Sequence, residues 1–246
     1  MKAILTSSLG GSVQVNGRRI PAGFLTNNGL LDMLKTLWVK DSRVMIVCAS
    51  PDAHKDNDIR YECLKQAFPL SGLIVSAVEF CDGRNEGLIE KLPEMDVVVL
   101  IGGHVPTQNA FFRKIGLKNR LAGFDGLLLA YSAGSMNCAS NVYVSPELDG
   151  EAVDPDFVRW APGLGLTEIN IFPHYQAIKD DTLDGLRLME DITYPDSFTH
   201  EILALNDGSY IVLENGAETL YGEARRIQNG KVEMICKDGE TLRLKE

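Results

Sequence analysis

Four stretches of the chain are apolar almost without interruption: "RVMIVCAS" (43–50), "GLIVSAVEF" (72–80), "DVVVLIGG" (96–103) and "GLLLAYSAG" (126–134). A strand with one wet face alternates apolar and polar residues. A run without that beat belongs to a strand covered on both faces, as in a parallel sheet. "KAILTSS" (2–8) is a fifth run of this kind. The spacers between runs have about the length of a helix plus two loops. Segment 27–38 opens with Asn27 at a capping position, 57–68 sets Ile59, Cys63 and Ala67 along one side, and 106–116 starts with Pro106 in a first turn. The pattern predicts an α/β fold of three layers, a mainly parallel sheet with helices on both faces.

Beyond about residue 200 the pattern changes. "EILALNDGSYIVLENG" and "ETLYGEARRIQNGKVEMICKDGETLRL" carry repeated D-G and N-G pairs, the signal of antiparallel hairpins. Residues 143–163 hold three prolines and many acids with no period, which predicts a long functional loop. No repeat, low-complexity tract or linker interrupts the chain. Residues 1–246 therefore read as one domain, with about 201–246 as its β-rich extension.

The stretch "LLLAYSAGSMNCAS" (127–140) passes from buried strand to small, helix-compatible residues at Ser132. A tight strand-to-helix corner lifts a serine above the carboxyl edge of a sheet, and the next N–H, that of Ala133, can face a developing oxyanion. A serine capping the following helix accounts for the same residues, so this stretch alone leaves both readings open. The preceding run ends in Gly102-Gly103. If its strand neighbours that of Ser132, an N–H from Gly103 and one from Ala133 form a two-donor oxyanion hole.

A serine hydroxyl needs a base to take its proton. In "GLGLTEINIFPHYQ" (163–176) an apolar strand runs into Pro173-His174-Tyr175, which sets an imidazole at a strand end. His54 falls on an expected surface loop and His200 in a polar stretch, while His104 sits beside the proposed hole, where it would touch substrate. His174 is the best candidate base.

Charge narrows the partners. The net charge is −10 and no stripe of Lys or Arg is present, which argues against nucleic acid and anionic membranes and leaves small molecules, peptides or proteins. No window is apolar enough for a membrane span or a signal peptide, so a cytoplasmic protein is expected. Cys48, Cys63, Cys81, Cys138 and Cys236 are odd in number and scattered, and are expected to be reduced thiols. No cysteine or histidine spacing suits a metal, and neither metal nor cofactor is expected.

With "GGHVPTQN", "AYSAGSMN" and "GLGLTEINIFPHY" in this order, the chain resembles the peptidase E and cyanophycinase family of serine peptidases, over residue 1 to about 215. That resemblance implies a class I glutamine amidotransferase-like, flavodoxin-like fold with serine in place of the nucleophilic cysteine. It implies Ser132 as nucleophile, His174 as general base, Gly103 and Ala133 as oxyanion donors beside Gly102, and Asp207 in "LNDGSYIVL" as the acid behind His174. Asp149 and Glu201 are the alternative acids. Phe172 stands where relatives more usually have asparagine, and Leu183 where peptidase E-like chains place a substrate-gripping arginine; Arg187, one helical turn on, is the candidate replacement. The implied partner is a small peptide, aspartyl-containing in the family, cleaved by an exopeptidase or dipeptidase; a homodimer is left open. The competing reading is a non-catalytic ligand-binding or regulatory protein on the same fold.

Overall fold

The computed structural model describes residues 1–245. The five apolar runs become the five parallel strands of an eight-stranded sheet. Side by side lie Lys2–Thr6, Leu127–Tyr131, Val97–Leu100, Ser42–Val47 and Val75–Cys81. Beyond Lys2–Thr6 the sheet continues through antiparallel Tyr210–Glu214, Ala217–Tyr221 and Thr241–Lys245. Burial explains the continuous runs: Val44, Ile46, Val98, Val99, Leu128 and Leu129 are all inaccessible to solvent. The predicted helices are present as Leu30–Leu37, His54–Leu70 and Val105–Lys114.

Several expectations shift at their edges. The first helix begins at Leu30 behind a short 3-10 turn over Asn27–Gly29, and Asn27 makes no capping bond. His54 opens a helix instead of lying in a loop. The run 163–172 is a strand only at Ile171–Phe172, parallel to Ile202–Leu205. Its earlier residues bond elsewhere. Leu164 N–H donates to Asn137 O and Leu166 N–H to Cys138 O, so "GLGL" satisfies carbonyls at the end of the short helix after Ser132. A β-carbon on Gly163 would stand 2.2 Å from Ala139 O, so only glycine allows that approach.

The C-terminal hairpins split between sheets, because Ile202–Leu205, Ala224–Gln228 and Lys231–Cys236 join Ile171–Phe172 in a separate four-stranded sheet. An antiparallel pair, Gly10–Val15 with Arg18–Phe24, was not anticipated, although its turn is Asn16-Gly17 with φ of 49° and 74°. That dipeptide is a strong hairpin signal, and apolar residues on an exposed hairpin weaken the alternation that would have made it visible. Among the described residues no helix is long and apolar enough to cross a membrane, and no group of three or more His, Cys, Asp or Glu gathers to hold a metal ion.

Candidate active site

Strand register assembles the site. Leu100 pairs with Ala130, so the glycines after one strand lie beside the serine after its neighbour. Thr6 pairs with Tyr131 on the other side, and Ser132 N–H donates to Thr6 O at 3.1 Å. All three strands end at the carboxyl edge of the sheet, where open α/β folds bind ligands.

Ser132 ends its strand with φ 52° and ψ −124°, a backbone conformation that strains any residue bearing a β-carbon. The corner closes because the following residues are small. A β-carbon on Gly134 would stand 2.3 Å from Leu100 O, and one on Gly102 would stand 2.9 Å from Ser132 Cβ. Ala133 begins the helix, so its N–H lacks an intrahelical acceptor. Neither it nor the N–H of Gly103 is engaged by a main-chain acceptor among the described residues.

His174 stands at the end of Ile171–Phe172 with φ 58° and ψ 22°. Its Nε2 is 3.0 Å from Ser132 Oγ and its Nδ1 is 2.7 Å from Asp207 Oδ1. An ionised carboxylate only accepts, so Nδ1 carries the hydrogen and Nε2 is left to accept the serine proton. Asp207 sits in the turn after Ile202–Leu205. Burial pushes its carboxyl up, yet hydrogen bonds and the charge of His174, helped by Ser7 and Gln176, hold it below the usual carboxylate range. Ser7 was not anticipated. Its hydroxyl donates to Asp207 Oδ1 at 2.9 Å and accepts from the His174 backbone N–H at 2.8 Å, linking acid and base. Its only sequence signal is its place one residue beyond a parallel strand.

Buried amides lock the two halves of the corner. Asn137 Nδ2 donates to Val105 O and Gln108 Oε1, Asn109 Nδ2 donates to Asn137 Oδ1, and Gln108 Nε2 donates to Ile101 O. The helix after Ser132 is thereby fixed to the loop and helix after Gly103. Cys138 belongs to this packing rather than to chemistry: its thiol lies 3.2 Å from Gly134 O, and burial drives its pKa up.

Other anticipated residues lie elsewhere. Arg187 is exposed and paired with Asp191 at 2.7 Å, and it lines neither cleft beside Ser132. Asp149 is exposed on its loop. Glu201 pairs with Arg226 at 3.1 Å, so Asp207 alone of the three acids meets His174. His104 turns its ring to Thr107 Oγ1 and Glu151 Oε1, each at 2.8 Å, instead of into the cleft.

Two cavities meet at Ser132 and His174, which are the lining residues they share. The first, about 370 Å³, runs past Gly102 and Gly103 to Arg19, Arg60 and Ser12. Arg19 donates to Ser12 Oγ at 3.0 Å and has no carboxylate partner among the described residues, whereas Arg60 is paired with Asp56. The second, about 340 Å³, is mostly apolar and reaches Glu147 in the irregular loop.

A mainly parallel α/β sheet carrying a strained serine, a histidine and an aspartate in hydrogen-bonded series along its carboxyl edge defines the class of serine-dependent hydrolases. Residues 24–221 match the family model described as Peptidase family S51. The chain belongs to peptidase family S51, and it is a peptidase. Its fold is similar to the crystal structure of a peptidase E candidate from Listeria monocytogenes EGD-e, with 15% identity and a TM-score of 0.51, covering 95% of this chain and 97% of that one. No curated protein sequence matches it.

Proposed function

We propose that this chain is a cytoplasmic serine exopeptidase of dipeptidase type that cleaves small, aspartyl-containing peptides through an acyl-Ser132 intermediate. The observation that carries the reading is the 3.0 Å approach of His174 Nε2 to a serine hydroxyl held at a strained corner. Ser132 Oγ attacks the scissile carbonyl carbon as its proton passes to His174 Nε2. The N–H groups of Gly103 and Ala133 receive the oxyanion. Collapse breaks the C–N bond, and the departing amine takes the proton from His174. Water then attacks the ester, giving a proton to His174, and Ser132 Oγ leaves with it. Asp207 orients the ring and stabilises the imidazolium throughout.

Arg19 and Arg60, rather than Arg187, support an acidic substrate, because both guanidinium groups line the cleft beside the oxyanion loop. The five free thiols, all buried, suit a reducing compartment. A fluorophosphonate probe is expected to label Ser132 and to leave Ser132→Ala unlabelled, with Asp-X dipeptides cut preferentially in a dipeptide library. A folded wild-type protein that is neither labelled nor active on any member would instead be a ligand-binding protein on this fold.

A further inference from the structure

A further cavity, about 270 Å³, is lined by strands of both the eight-stranded and the four-stranded sheet and shares no residue with the two clefts at Ser132. Its walls hold buried polar atoms that the fold leaves without partners. Asn170, only 8% exposed, donates from Nδ2 to Glu201 O at 2.9 Å, which fixes the amide and leaves Oδ1 buried and unbonded. Turning the amide over would only set Oδ1 against the Glu201 carbonyl. Arg226 Nε is likewise buried and unbonded: Glu201 Oε2 lies 3.1 Å away, a charge contact out of line with the N–H. Of four such orphaned side-chain atoms among the described residues, these two belong to one cavity.

Glu218 adds a charge. On the strand Ala217–Tyr221 it faces inward with Leu220 and is 6% exposed. Thr167 Oγ1 donates to its Oε1 at 3.1 Å, and no donor engages Oε2 among the described residues. Burying a carboxylate, an amide oxygen and a guanidinium N–H with bonds unmade costs free energy. A metal ion would satisfy the oxygens and be repelled by Arg226. An ammonium and a carboxylate on one small molecule satisfy both sides. Leu203, Ile235 and Leu244 complete the walls with apolar surface that suits an aliphatic side chain.

We infer that this cavity binds a free aliphatic α-amino acid, its ammonium donating to Asn170 Oδ1 and Glu218 and its carboxylate accepting from Arg226, with Lys245 as a second cation at the rim. Peptide hydrolysis releases molecules of this class, so the peptidase would hold a product away from the place where it forms. The cavity is nevertheless joined to the catalytic edge. Leu203 N–H donates to Asn170 O at 2.7 Å, tying together the two parallel strands that lead, two residues past their ends, to His174 and Asp207.

Calorimetry on the wild-type protein with matched probes reads each part of the ligand. L-leucine is expected to bind about tenfold more tightly or better than 3-methylbutylamine, which lacks the carboxylate, 4-methylpentanoate, which lacks the ammonium, and glycine, which lacks the side chain. Arg226→Gln and Glu218→Gln are each expected to weaken leucine by about tenfold, whereas Arg19→Ala, in the catalytic cleft, leaves its affinity unaltered. A crystal of the wild-type protein grown with L-leucine locates the ligand even if a variant fails to fold, and is expected to show it against Asn170 and Arg226. No binding of leucine, equal binding of any of the other three probes, full affinity in folded Arg226→Gln, loss with Arg19→Ala, or leucine seated in the catalytic cleft overturns the inference. Failure of the hydrolase reading is seen separately, in a wild-type protein that fluorophosphonate does not label.

Discussion

Gly102 and Ser132 lie in adjacent loops so close that a β-carbon on the glycine would stand 2.9 Å from Cβ and 3.3 Å from Oγ of the serine. Gly102 therefore keeps open the space that the Ser132 hydroxyl occupies. Gly102→Ala is expected to turn Ser132 away from His174 and lower kcat/KM by about 10²-fold, as misplacement by an ångström can. The rate of fluorophosphonate labelling would fall in parallel. Unchanged labelling would show that the loop yields instead.

Asp207→Asn removes the charge that stabilises an imidazolium and permits the wrong ring tautomer. A loss of kcat on the order of 10³–10⁴-fold is expected, with KM little altered. Stability supplies a second readout. The native carboxyl is held below its unfolded value, so its stabilising contribution is present above pH about 4 and is lost as pH falls through the depressed native value. Urea unfolding of both proteins would show the full difference at pH 7 and a smaller one near pH 3, shrinking further as the pH is lowered.

Ser7→Ala deletes the hydroxyl joining Asp207 to the His174 backbone. A hydrogen bond to a charged group contributes about 1.5–3 kcal/mol, so a fall in kcat of roughly tenfold or more is expected. Because Ser7 acts through Asp207, the variant should also raise the Asp207 carboxyl and move the acid limit of stability upward. Ser7→Thr, which keeps the hydroxyl, should restore part of both effects. A variant with unaltered kcat and acid limit would reduce Ser7 to packing.

Asn137→Leu leaves Gln108 Oε1 and Val105 O without the donor they share and removes one of the two acceptors of Asn109 Nδ2, the other being Pro162 O. Each unsatisfied group costs about 1–3 kcal/mol, which denaturant midpoints would register. Activity should fall as well, since this network fixes the helix after Ser132 to the loop and helix after Gly103.

The parts of the molecule legible in its sequence share a physical basis: their signals are local. Continuous apolar runs mark strands buried on both faces, and the small residues around Ser132 follow from the cramped corner they occupy. His174 follows an apolar run and precedes a turn, which sets it at a strand end; Asp207 has no such local signal, since Asp207-Gly208 reads equally as a hairpin turn, and the family resemblance alone implies it as the acid. The cleft residues are different. Ser7 acts on Asp207, 200 residues away, and Glu147 enters the cleft through a loop with no period. Arg19 arrives on a hairpin that packs against the helix His54–Leu70, so no short window reveals the guanidinium groups that Arg187 was expected to supply. The conspicuous "GLGL" run was readable as apolar, but its hydrogen bonds go to the end of a helix and not to a strand.

Among the described residues eight non-glycine positions have positive φ, and all but Ser132 are Asn, Asp or His, which tolerate that region better than other side chains. With ψ of −124°, Ser132 also lies outside the ordinary left-handed well, a placement that costs about 1–3 kcal/mol. Glycine would adopt the same backbone without strain, offset in part by its greater freedom when unfolded. Selection for heat resistance alone would therefore erode the active site: Ser132→Gly is expected to melt a few degrees higher than the working enzyme while hydrolysing nothing.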